Sequence, residues 1–234
     1  MFTGAVKVEC VNINHLRNRP SYFSHKDIEV ARLLSRHVLL TAEQIKLFGH
    51  PTRRLGHMVK FGFLYRYRLL DAEGNTLPSA YAVGPAARYF LNFPIVGVSN
   101  PYKVQSMLAV NQVLLYFLSK APHANLNIHL HRPVQAIITI NNPLGIIAPR
   151  KGFDRTFLSR SEVEQAIVVL PDRKYVTSGL PVLYVFDDEL GDPFNLKFYK
   201  CPSGTRLVQV DLFENEKDEK LVDEKLVAES VECP

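Results

Sequence analysis

Residues 41–70 read TAEQIKLFGHPTRRLGHMVKFGFLYRYRLL, and within this stretch the apolar period changes from helical to strand-like. That switch, punctuated by Gly49, Pro51 and Gly62, limits the chain to a few arrangements. Thr41 followed by Gln44 has the spacing of a capping box, in which each side chain satisfies an amide of the first turn. A short helix therefore runs through AEQIKLF and stops near Gly49. Proline is tolerated in a first turn, so His50-Pro51 opens a further helix, which Gly62 ends as a left-handed cap. Leu55, Met58 and Val59 would face inward. FLYRYRLL then alternates apolar and basic residues, DAEGN is a turn, and TLPSAYAVG returns as a second strand, giving a hairpin with a five-residue connection.

Upstream, Ser24 precedes HKDIEVARLLSRHVLL, where Ile28, Ala31, Leu34 and Val38 recur at helical spacing. Three helices and a hairpin make a winged helix-turn-helix over residues 24–92. In that arrangement the second helix braces the third, which lies in a major groove. Thr52, Arg53, Arg54 and His57 are then expected over base edges. Lys60, Arg66 and Arg68 are expected to anchor phosphates. Thr41 and Gln44 cap the bracing helix, whose positive end also suits a phosphate. The expected partner is double-stranded DNA, held by a homodimer, since two modules on one duplex gain effective concentration.

Residues 1–23 read as an arm and 93–102 as a linker containing NFPIVGVSNP. Residues 103–212 open with the apolar helix VQSMLAVNQVLLYFLSK, a core or dimer helix. The spacing then predicts a strand in IHLHRPVQAIITI, a helix in SRSEVEQAIVVL with Ser161 and Glu164 as caps, and a buried strand in LPVLYVF. DPFNLKFYK reads as a short helix and TRLVQVDLF as a last strand. Strand and helix in turn imply a small α/β domain with a mixed sheet, for dimerisation or a protein partner, so the whole is of α+β or α/β class. Residues 213–234 are an acidic tail containing DEKLV twice.

The segment RLLSRHVLLTAEQIKLFGHPTRRLGHMVKFGFLYRYRLL, then YAVGPAARYFL, then LAVNQVLLYFL, resembles the replication-relaxation family of bacterial plasmids and other mobile elements. The matching pieces are the threonine and glutamine of TAEQI, the arginines and leucine of TRRLGHMVKFGFL, YAVGPAARYFL after the wing, and the leucine and asparagine of LAVNQVL. They span roughly residues 30–118, and beyond residue 120 only the order of elements is similar. The resemblance implies a winged helix followed by a degraded nuclease-like domain. It also implies DNA binding for plasmid replication, supercoil relaxation or transfer; the expected function is DNA binding through the winged helix in one of these or in transcriptional control.

Charge agrees with a polyanionic partner. The net of +5 divides into +11 over residues 1–210 and −6 over residues 211–234. Restriction-type nuclease chemistry needs an acid on one strand and an acid-x-Lys on the next. RPVQAIITINN holds no carboxylate, and PDRKY offers only Asp172 and Lys174. Asp187, Asp188, Glu189 and Asp192 after a buried strand read as a polar turn. His123, His129 and His131 have no oriented acidic partner or cysteine set for zinc. Neither P-loop, G-x-S-x-G nor G-x-G-x-x-G occurs. The expectation is therefore a non-enzymatic protein with no cofactor, no metal and no catalytic residue. The alternatives are an assembly factor whose winged helix binds protein, and a metal-dependent nuclease. Three widely spaced cysteines, no signal-peptide core and no apolar run of about 18 residues give a cytoplasmic expectation with no membrane contact.

Overall fold

The computed structural model describes residues 7–11, 23–93, 100–128, 134–149, 163–203, 206–213 and 231–232. The class is mixed α+β with two sheets, one antiparallel and one mixed. The chain forms two compact units, which divide at residues 115 and 116.

In the first unit, Ser24 caps helix α1 (His25–His37) with a reciprocal Ser24/Asp27 box. Val30, Ala31 and Leu34 are buried. Strand β2 (Leu40–Thr41) leads into α2 (Ala42–Leu47), where the Thr41/Gln44 box is present as expected. The next helix, α3 (Leu55–Lys60), is shorter than the spacing suggests. Its start is corrected from residue 51 to Leu55, and Thr52, Arg53 and Arg54 lie in the turn before it. Leu55, Met58 and Val59 face the core. Gly62 ends the helix at φ +72°, with its own amide on Val59 O and the Phe63 amide on Met58 O.

Strands β3 (Leu64–Leu70) and β4 (Thr76–Val83) pair antiparallel across the five-residue turn. Asp71 holds that turn by accepting from the Glu73 and Asn75 amides. Within the expected arm, residues 7–11 form strand β1 (Lys7–Val11), paired with β3. The sheet order is therefore β1-β3-β4-β2. Helix α4 (Pro85–Leu91) follows, closed by Asn92 in the left-handed region.

Gly84 sits where β4 becomes α4 and is packed against main chain. A Cβ there would stand 2.4 Å from Gly62 O and 2.9 Å from two Leu64 backbone atoms. Backbone cannot turn aside as a side chain can. Gly84→Ala is therefore expected to lose about 2 kcal/mol of stability, read by urea unfolding of the full chain; an unchanged midpoint would contradict this close approach.

Helix α5 (Pro101–Lys120) begins inside the expected linker, and Met107 through Phe117 are all buried. Its residues up to Leu115 belong to the first unit and those from Tyr116 to the second. No helix among the described residues is long and apolar enough to cross a membrane.

The second unit holds β5 (Asn125–Ile128), β6 (Ala136–Thr139), β7 (Pro143–Ile147), β8 (Gln165–Leu170) and β9 (Val182–Phe186). Then follow β10 (Phe198–Lys200), β11 (Arg206–Val210) and β12 (Val231–Glu232). They form one sheet in sequential order, with β7, β8 and β9 parallel and the other neighbours antiparallel. Two expectations are corrected. QAIVVL is the central strand β8, not a helix; its last five residues are buried. A strand covered on both faces reads as a continuous apolar run, which periodicity does not separate from a buried helix. DPFNLKFYK is a turn leading into β10, not a helix. Val168, Leu170, Tyr184 and Phe186 pack on one face. On the other, Tyr116 and Phe117 pack at steep ring angles against Phe198 and Phe213, with centres 5.0–5.9 Å apart. The expected caps Ser161 and Glu164 fall outside and just before β8, with Ser161 outside the described residues.

Candidate nucleic-acid interface

The basic residues expected to meet DNA sit on α3, the turn before it, and the β3–β4 hairpin. Arg53 and Lys60 are exposed and have no ion-pair partner among the described residues. Lys60 lies 5.8 Å from the Phe61 ring centre. These two cations are free to meet a polyanion.

The other arginines are engaged. Arg54 occupies the N-cap position of α3, and its guanidinium lies 2.9 Å from the Asp27 carboxylate. Asp27 is buried, and the same carboxylate oxygen also accepts from the Ser24 amide and hydroxyl. One carboxylate thus ties the start of α1 to the start of α3. Arg66 is half-buried, with Nε donating to Ser79 Oγ at 3.1 Å. Arg68 is exposed and stands 3.9 Å from Glu9, its partner in the β1–β3 register. The Lys7 ammonium, then Arg68, holds the Glu9 carboxyl below its usual range. Tyr67, between the two arginines, turns to the core.

Thr52 is half-buried, and its carbonyl accepts from the Leu55 amide. His57 is wedged between aromatic rings, 4.6 Å from Phe61 and 6.4 Å from Phe23. Thr41 and Gln44 are buried, at only 6% and 2% exposed, with their side chains turned to partners inside the unit. Gln44 Oε1 accepts from the Thr41 amide, while Nε2 donates to Leu108 O and Gln112 Oε1, each at 3.0 Å. Its hydrogen-bonding capacity is used inside the unit.

Behind this surface is a second buried amide. Asn111 on α5 donates to His37 O at 3.0 Å and Leu39 O at 2.6 Å, and its Oδ1 meets His37 Nδ1 at 3.0 Å. The bridged carbonyls flank Val38, held at φ +68°, a rare conformation for a β-branched residue. Burial first, and the charge of Arg36 last, lower the His37 imidazole to about 4, against an upward pull from the Asn111 bond. Sequence reasoning also passed over Arg32 and Arg36, exposed four residues apart on α1, and Lys46 on α2. Helical spacing places the two α1 arginines on one stripe.

In the second unit the charged residues after β8 and β9 neutralise one another. Arg173 donates to Asp188 at 2.9 Å and Glu189 at 2.8 Å, and stacks 4.4 Å from the Phe186 ring centre. The Tyr199 hydroxyl donates to the same Glu189 oxygen at 2.8 Å. Burial, followed by that carboxylate, pushes the Tyr199 phenol up to about 12. Asp187–Glu189 is a 3-10 turn, as the polar-turn reading expects. Among the described residues no group of three or more His, Cys, Asp or Glu side chains is arranged to hold a metal. Asp172 is paired with Lys174 at 3.1 Å. His123 is exposed, while His129 and His131 lie outside the described residues.

Comparison with protein-family models, curated proteins and solved structures gives no significant match to this chain.

Proposed function

We propose that the chain is a non-enzymatic DNA-binding protein of a mobile element, acting in replication, transfer or transcriptional control through a winged helix at residues 24–92. The observation that carries this reading is the order α1-β2-α2-α3-β3-β4, with β2 closing on β4 and unpaired Arg53 and Lys60 at either end of α3. A helix of that kind, braced by α2, is suited to a major groove. The resemblance to the replication-relaxation family supports the same reading, and a homodimer would double the contact.

Arg53 is assigned to base edges and Lys60 to phosphate, with Arg66 and Arg68 as hairpin contacts. Arg54 is assigned first to holding α1 against α3. Gel-shift titration against the flanking DNA at 50 and 200 mM salt tests this. Affinity is expected to fall steeply with salt. Lys60→Ala is expected to weaken every sequence alike and reduce the magnitude of the salt slope by about 1, whereas Arg53→Ala should relax sequence preference by about 1–3 kcal/mol. Binding indifferent to salt would sink the DNA reading.

A second reading, a winged helix that binds protein, draws on the engagement of Arg54, Arg66 and Arg68 by Asp27, Ser79 and Glu9. It predicts no DNA shift at either salt.

A further inference from the structure

We propose that an apolar cleft at the entry ends of β8 and β9 binds a small amphipathic carboxylate, whose head meets Lys200. The cleft lies wholly in the second unit and encloses about 620 Å³. That is within the range of small-molecule sites, which is about 300–1,000 Å³.

Strand register explains why it forms. Leu144 pairs with Gln165, Lys200 with Val208, and Phe198 with Val210. Tyr199 pairs with Tyr184, so Leu183 and Lys200 share the opposite face. Leu144, Leu183, Val208, Val210 and Leu212 line the cleft together. Four of them, Leu144, Val208, Val210 and Leu212, remain half-exposed, so aliphatic surface is left for an apolar body to cover.

Among the described residues two polar side chains enter the lining, Gln165 and Lys200, and both are exposed. Among the described residues, Lys200 has no ion pair and no carboxylate lines the cleft. An apolar wall with one unanswered cation selects a ligand with a hydrocarbon body and one negative charge. A phosphate monoester, with nearly two charges, calls for the additional cations or forked arginine that this lining lacks. A cationic amphiphile would be repelled by Lys200.

The test uses the full chain and three probes below their micelle-forming concentrations: decanoate, decanol and decyltrimethylammonium. Calorimetric titration at low salt is expected to find decanoate bound about two- to five-fold more tightly than decanol, the modest preference of an exposed ion pair. The cation should bind weakest. Lys200→Gln, on an exposed side chain, should abolish the decanoate preference and leave decanol unchanged. Val208→Trp should fill the cleft and remove binding of all three, with an unchanged circular-dichroism spectrum confirming the fold. Equal binding of decanoate and decanol by the unaltered chain, or a preference that survives Lys200→Gln, would overturn the proposal. So would an absence of binding. Loss of self-association in Val208→Trp without probe binding would give the cleft to a second copy of the chain, overturning it also. The site stands whether or not the first unit binds DNA.

Discussion

Replacing Asn111 with leucine is expected to destabilise the first unit by about 4 kcal/mol, although the two side chains are similar in volume. Asn111 is fully buried, and its amide answers His37 O, Leu39 O and His37 Nδ1. Leucine leaves these three groups bare, at about 1–3 kcal/mol for each unsatisfied polar group, partly relieved by relaxation. The two carbonyls flank Val38 at positive φ, so the same substitution releases the constraint holding that residue. Urea unfolding of the full chain reads the effect. A loss below about 1 kcal/mol would mean that the turn after α1 is held by something other than this amide.

The second large effect is on the acid side. The His37 imidazole is lowered to about 4 by burial, so the folded chain resists a proton that the unfolded chain accepts at about 6.5. Between those values the unfolded state binds more protons, and stability falls as pH falls. One group contributes a slope of about 1.4 kcal/mol per pH unit, or about 3 kcal/mol across the window. Above pH 6.5 its contribution is flat. Subtracting the stability profile of His37→Leu from that of the unaltered chain isolates this slope. A difference that stays constant from pH 7 to pH 4.5 would show that His37 is protonated at little cost in the folded state.

The sequence revealed those elements whose cause is local. Ser24, Thr41 and Gly62 end or begin helices through chemistry carried within a few residues, and the alternation in FLYRYRLL places Tyr67 inward by itself. Elements made by distant partners were hidden. KVECV becomes a strand because β3 offers it an edge, and that pairing sets Glu9 beside Arg68. QAIVVL is a strand because β7 and β9 flank it. The candidate site divides the same way. Its basic residues stand in the sequence for anyone to count. That Arg54 is tied to Asp27, or Gln44 to a glutamine 68 positions later, has no local signature. Such pairs decide which of the cations remain available.

Because α5 supplies Leu108, Asn111 and Gln112 as the partners of Gln44, His37 and Leu39, the natural place to cut this chain is not at residues 93–102. A gene fragment ending near residue 100 would encode α1 through α4 without the amides that hold the turn after α1 and the start of α2, and would sample open, sticky forms. A fragment carried through Lys120 keeps that brace, at the expense of presenting Tyr116 and Phe117 without the rings they normally rest on.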